Sequence, residues 1–208
     1  MSLQFSIPII PIGVFYDVAK TLKMFELLMQ HGIRCIEVTL RTAQALDCIA
    51  ALKNTFPDAM IGAGSVITHD DFKAAVDAGA MFIVSPCVSD ALIELSHKYK
   101  NIYYIPGFTT PTELAHALLM HVDVLKFFPA QHCGGVHYLK AIVEPFTKFS
   151  FSIIPTGGIQ PAHIAEYLSV PKVVACGLSY LVDSHLIEHG DYINLDKRIN
   201  EILACLPR

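Results

Sequence analysis

Eight short runs of apolar, mostly β-branched residues recur along this chain, separated by longer segments of helical period. The runs are Ile7–Val14, Cys35–Leu40, Met60–Val66, Met81–Ser85, Ile102–Pro106, Val122–Phe128, Ser152–Thr156 and Val173–Gly177. They are apolar almost without interruption, as strands are when both faces of a parallel sheet are buried. A chain of 208 residues allows about 26 residues per unit, enough for a strand, a helix and two short loops. This rhythm predicts an α/β chain forming a single (β/α)8 TIM-barrel domain over residues 1–208. A doubly wound open sheet would need fewer strands or a longer chain, and no G-x-G-x-x-G follows a strand.

The segments between the runs carry helix signals. Val18, Leu22, Phe25 and Met29 form an apolar stripe at helical spacing. Thr68 and Asp71 make a capping box, and Gly79 ends that helix. Thr110, Pro111 and Glu113 make a second box with proline at the first helical position. Pro161 marks another helix start.

Composition narrows the function classes. Hydrophobic residues make up 53% of the chain and charged residues 16%, which excludes a disordered chain. Fifteen basic residues face 19 acidic ones with no basic run, so nucleic acid is not expected as a partner. So much apolar surface is hard to hide in one small domain, and a homo-oligomer with an apolar interface is expected. The six cysteines form no C-x-x-C pair. With no secretory signal they suit a reduced, cytoplasmic protein. The segment Met1–Val14 is apolar but contains Pro8 and Pro11. It is too short to span a membrane and is expected to form a strand.

In a parallel barrel the chemistry lies at the C-terminal strand ends, so charges in or just after strands carry the information. Of eleven lysines, only Lys126 lies late in an apolar run, and of eight glutamates only Glu37 lies within one. Arg41 alone among the arginines follows a strand. A lysine flanked by Leu125, Phe127 and Phe128 is partly desolvated, which disfavours the ammonium and frees the amine as a nucleophile. An amine attacking a ketone gives an iminium that accepts electrons from a neighbouring C–C bond. A carboxylate can move protons during that chemistry, and an arginine can hold a substrate carboxylate in a two-point fork. Lys126 and Glu37 also have plain structural readings: a packed lysine stem with its head in solvent, and a glutamate paired with a structural cation. The convergence of all three on one rim favours the functional one.

Two glycine-containing loops follow the last strands, Thr156–Ile159 and Gly177–Ser179. Loops after strands seven and eight of such barrels commonly hold phosphate, because glycine lets backbone N–H groups approach its oxygens. The alternative is that these glycines make tight turns. Other signals carry less. The segment from His185 to His189 matches H-x-x-E-H, but Gly190 follows at once and no further acidic ligand is evident. A loop entering a helix explains His132, Cys133 and His137 as well as a metal does, and Cys133 has no identified base partner.

Taken in order, Glu37-Val-Thr-Leu-Arg-Thr42, Gly62-Ala-Gly-Ser-Val66, Leu125-Lys-Phe-Phe-Pro-Ala130, Gly134-Gly135 and Pro155-Thr-Gly-Gly-Ile159 form a specific set. The chain resembles the bacterial 2-keto-3-deoxy-6-phosphogluconate (KDPG) aldolase / 4-hydroxy-2-oxoglutarate (KHG) aldolase family from about Ile7 to Tyr192. The resemblance implies a class I aldolase on a (β/α)8 barrel, usually trimeric, with no metal and no cofactor. It implies Lys126 as the Schiff-base lysine and Glu37 as the acid/base. It implies that Arg41 and Ser65 hold the pyruvate carboxylate, and that Gly157, Gly158 and Ser179 receive the phosphate beside Thr156. The expected substrate is therefore a small 2-keto acid.

The chain departs from the family pattern at five positions, one of them Tyr180, which stands for a tryptophan. Ser65 stands for a threonine, Cys87 for the glycine after Ser-Pro, and Gln131 for a glutamate. Leu178 stands beside the phosphate loop where the family has glycine. If Leu178 points into the helix layer, phosphorylated substrate is preferred; if it points inward, phosphate is crowded and KHG gains. Outside this class stand a non-covalent phosphosugar isomerase or epimerase and a non-catalytic metabolite-binding protein. Neither needs an amine inside the barrel.

Overall fold

The computed structural model describes residues 5–207. Residues 1–4 of the expected N-terminal strand segment, and residue 208, lie outside the described residues. The order is β1 (Ile9–Gly13), α1 (Val18–Gln30), β2 (Cys35–Thr39), α2 (Ala45–Thr55), β3 (Met60–Gly64), α3 (His69–Asp77), β4 (Phe82–Val84), α4 (Asp90–Ser96), β5 (Tyr103–Ile105) and β6 (Gly107–Phe108). The chain continues through α5 (Pro111–Leu119), β7 (Val124–Phe127), α6 (Gly135–Val143), β8 (Ser152–Pro155), α7 (Ile164–Leu168), β9 (Cys176–Leu178), α8 (Ser184–Glu188) and α9 (Tyr192–Ala204).

All strand pairs are parallel. A six-stranded sheet in the order β5-β4-β3-β2-β1-β9 curls into a half-barrel, and β6-β7-β8 form a second sheet. The apolar run expected as one strand over Ile102–Pro106 supplies β5 to the first sheet, and a short strand that was not expected, β6, follows it at once in the second. Pro106 has no N–H to give a ladder. Before it, β5 pairs with β4; after it, β6 pairs with β7, and the Pro106 carbonyl accepts from Lys126 N at 2.9 Å. The last run also shifts. Val173 makes a single bridge to Ile153, and the paired strand is Cys176–Leu178. A second bridge joins Thr156 to Gly177.

Strand alternation divides the interior into two apolar layers. Ile10, Ile12, Cys35, Phe82, Val84, Ile105, Val124 and Ile154 pack together on the inner, concave face. Ile9, Ile36, Val38, Ile61, Ala63, Ile83, Leu125, Phe127, Ile153 and Leu178 face the helices. This double burial is why the runs are apolar on both parities.

Both expected capping boxes form. Thr68 Oγ1 accepts from Asp71 N at 3.1 Å, and Glu113 Oε2 accepts from Thr109 N and Thr110 N at 2.8 Å each. The buried face of α1 is rotated from the expected stripe. Thr21, Met24, Phe25 and Leu28 are buried, while Val18, Leu22 and Met29 pack only at its margin. Thr21 is tolerated inside because its hydroxyl donates to the Asp17 carbonyl at 2.6 Å, as helical threonines often do.

Candidate active site

The inward parity of β2 delivers Glu37 between Ile36 and Val38, which face the helices. On β7, Leu125 and Phe127 face outward, so Lys126 faces in. The two residues come from different sheets and are 89 positions apart, yet Lys126 Nζ lies 3.5 Å from Glu37 Oε1. Lys126 is 7% exposed and Glu37 3%. The flanking residues expected to desolvate the lysine do so only in part. Leu125 and Phe127 belong to the other layer, and it is Phe128 whose ring centroid lies 5.1 Å from Nζ. Below Glu37 on the same strand face, burial and then the Glu37 charge push the Cys35 thiol up, out of reach of ionisation.

Arg41 follows β2, and its Nε donates to Ser65 Oγ at 2.9 Å. Ser65 follows β3 with φ +62°, a left-handed conformation that costs about 1–3 kcal/mol for a residue with a Cβ. Its neighbours hold it there: Leu40 N donates to the Gly64 carbonyl at 2.9 Å and Val66 N to the Val84 carbonyl at 3.1 Å. The chain thus bends to bring a hydroxyl beside a guanidinium at the strand ends.

Across the site, the loop after β8 is tied to the segment after β7. Ala130 N donates to the Thr156 carbonyl at 2.8 Å and Gln131 N to the Gly157 carbonyl at 3.0 Å. A trans peptide sets N–H opposite C=O, so the amides of Gly157 and Gly158 point away from that segment. Their φ values of +103° and +74° are open to glycine and costly for other residues. On β9, a Cβ at Gly177 would run into the Thr156 hydroxyl; the missing side chain lets the two loops close on each other.

One cavity of about 220 Å³ gathers Glu37, Arg41, Ser65, Lys126, Thr156, Gly157 and Ser179. Gly158 is exposed and is not among the residues lining it. Ile12, Gly13, Val14, Thr39, Pro86 and Phe128 complete the wall. Thr39 was readable in advance, because it follows Glu37 by two on the same strand face; its hydroxyl donates to the Gly13 carbonyl at 2.9 Å. Leu178 does not line the cavity: it is 1% exposed and packs in the helix layer. Cys87 is exposed, and its neighbour Pro86 forms the wall instead. Among the described residues, no group of three or more His, Cys, Asp or Glu is placed to hold a metal ion. His185 on the five-residue α8 stacks with His189 just past its end, and His189 Nδ1 lies 2.8 Å from the His185 carbonyl.

A buried amine and carboxylate facing an arginine–hydroxyl pair, with a glycine loop opposite, is an arrangement that can support covalent work on a keto acid. Comparison with known proteins agrees. The sequence profile described as "Aldolase: KDPG and KHG aldolase" matches residues 3–198. The chain belongs to the KDPG and KHG aldolase family. Among its relatives in that family is the 2-dehydro-3-deoxy-phosphogluconate aldolase of Pseudoalteromonas atlantica, 39% identical over 95% of this chain and 90% of the relative. The KHG/KDPG aldolase of Escherichia coli K12 is 37% identical over 93% of this chain and 90% of its own. The KDPG aldolase of Legionella pneumophila, solved with pyruvate captured as a covalent carbinolamine intermediate, superimposes with a TM-score of 0.86 at 37% identity, covering 93% of each chain.

Proposed function

We propose that this family member is a class I aldolase that cleaves 2-keto-3-deoxy-6-phosphogluconate into pyruvate and glyceraldehyde 3-phosphate, and that it also accepts 4-hydroxy-2-oxoglutarate. The observation that carries the reading is the buried Lys126–Glu37 pair inside a cavity that also holds Arg41 and Ser65. Lys126 Nζ adds to the C2 ketone, and loss of water from the carbinolamine leaves an iminium. Glu37 takes the proton of the C4 hydroxyl. The C3–C4 bond breaks, its electron pair enters the iminium, and the aldehyde departs. The enamine is protonated at C3 and hydrolysed, which releases pyruvate and restores the amine. Arg41 and Ser65 hold the substrate carboxylate, so the ketone carbon stands beside Nζ.

The phosphate end lies at Thr156, Gly157 and Ser179, with Gly158 next to them outside the cavity wall. The outward side chain of Leu178 supports a preference for phosphorylated substrate, since it keeps Leu178 out of the wall formed there by Thr156, Gly157 and Ser179. A non-covalent isomerase would leave the buried amine without a task. We also read the two sheets as one closed (β/α)8 barrel. Pro106 joins β5 to β6, and the Ile153–Val173 and Thr156–Gly177 bridges bring β8 to the β9 segment. The exposed apolar side chains of Tyr16, Ile67, Leu119 and Ile193 fit the homotrimer expected from the family. Six free cysteines fit a reducing cytoplasm. Among the described residues no helix is long and apolar enough to cross a membrane.

The deciding experiment is borohydride reduction in the presence of pyruvate, followed by intact mass and peptide mapping. A single adduct on Lys126 is expected, with none in Lys126→Ala or in Lys126→Arg, whose guanidinium stays protonated and cannot add to a ketone. No adduct on the wild-type protein would return the non-covalent readings to the front.

A further inference from the structure

We propose that Gly64 is a positioning residue, and that the missing side chain at this inner position of β3 sets where the Glu37 carboxylate stands relative to the Lys126 amine. The inference rests on the acid/base reading of Glu37 given above. Along β3, Ile61 and Ala63 face the helix layer, so Gly62 and Gly64 face the interior. Each leaves a gap that a neighbour fills. A Cβ at Gly62 would land in the Phe82 ring, whereas one at Gly64 would land on Oε1 of Glu37, 2.7 Å from its Cδ and 2.8 Å from its Cγ.

The parallel register pairs Glu37 with Gly62 and Thr39 with Gly64. Glu37 therefore leans along the sheet, past its own partner, and comes to rest over the next inward position. Thr39 leaves that surface clear by turning its hydroxyl to the Gly13 carbonyl on β1. Lys126 arrives from the other sheet, so the 3.5 Å separation depends on how Glu37 leans. Gly64 sits in regular strand pairing, and what it supplies is space. An added methyl group would displace the carboxylate by about the length of a C–C bond without asking the backbone for a forbidden conformation.

The test uses solvent deuterium exchange at the methyl group of pyruvate, which reports proton transfer to and from the enamine, alongside borohydride trapping, which reports the amine. Gly64→Ala should still form the trapped adduct, while exchange falls about 100-fold, the loss expected when a reacting group is misplaced by about 1 Å. Glu37→Asp shortens the acid by one methylene. It should slow exchange in the parent and speed it in the Gly64→Ala background, because the shorter acid can retreat from the new methyl group. General loosening of the fold would not reverse that sign. Exchange at the parent rate in Gly64→Ala, or a double variant no faster than Gly64→Ala, overturns the proposal. If Gly64→Ala does not fold, Gly64→Ala with Glu37→Asp must fold; failure of both means that the methyl group meets something other than the carboxylate, and the proposal falls. Glu37→Gln separates the two claims. Parent-rate exchange there refutes the acid/base reading, whereas loss of exchange there with none in Gly64→Ala refutes the positioning role alone.

Discussion

Replacing Leu178 by alanine should cost stability and leave substrate choice untouched. Leu178 is 1% exposed on β9 and packs among side chains of the helix layer. Truncation to alanine removes three buried carbon atoms, worth about 2.4 kcal/mol at roughly 0.8 kcal/mol each. The unfilled space raises the total towards the range of about 2–5 kcal/mol seen for buried leucines. For a chain of this size each kcal/mol lowers Tm by about 2–4 °C, so a drop of about 4–20 °C is expected. The ratio of kcat/KM on the phosphorylated substrate to that on 4-hydroxy-2-oxoglutarate should stay as in the parent, because the side chain lies behind the cavity wall. Thermal unfolding and paired steady-state assays check both halves. An unchanged Tm with a ratio raised about tenfold, or about 1.4 kcal/mol, would show that Leu178 faces the phosphate and that its outward packing is misread.

Ser179→Ala should lower kcat/KM on the phosphorylated substrate by about 10- to 150-fold, the equivalent of one hydrogen bond to a charged group at about 1.5–3 kcal/mol, and should spare the unphosphorylated substrate; equal losses on both would move Ser179 away from the phosphate. The Thr110–Glu113 cap should make stability pH-dependent. Burial raises the Glu113 carboxyl, but the amides of Thr109 and Thr110 and the Thr110 hydroxyl outweigh it and hold the group below its ordinary value. A depressed folded value means that the stabilisation is present above the unfolded value and is lost as pH falls through the folded one. The Tm difference between the parent and Glu113→Gln should therefore be full at neutral pH and shrink as pH falls through and below the ordinary glutamate range; a constant difference would refute the assignment.

Chain-local rules carried the elements and the candidate chemistry. Continuous apolar runs, capping boxes at Thr68 and Thr110, and three charges out of place in or beside strands are all visible without coordinates, because each depends on neighbours within a few residues. Tertiary structure decided what depends on pairing. A second short strand, β6, follows Pro106 in the other sheet only because β7 stands there to pair with it, while β5 before the proline pairs with β4. The buried face of α1 turned towards Thr21 and Met24 because the sheet beneath it, and not the helix's own periodicity, chose the side. Strand parity sent Leu125, Phe127 and Leu178 outward, a matter of register that a one-residue slip would reverse. The closeness of Lys126 to Glu37 is the furthest from sequence of all. Two groups 89 residues apart meet because two sheets face each other, and because position 64 holds a residue with no side chain.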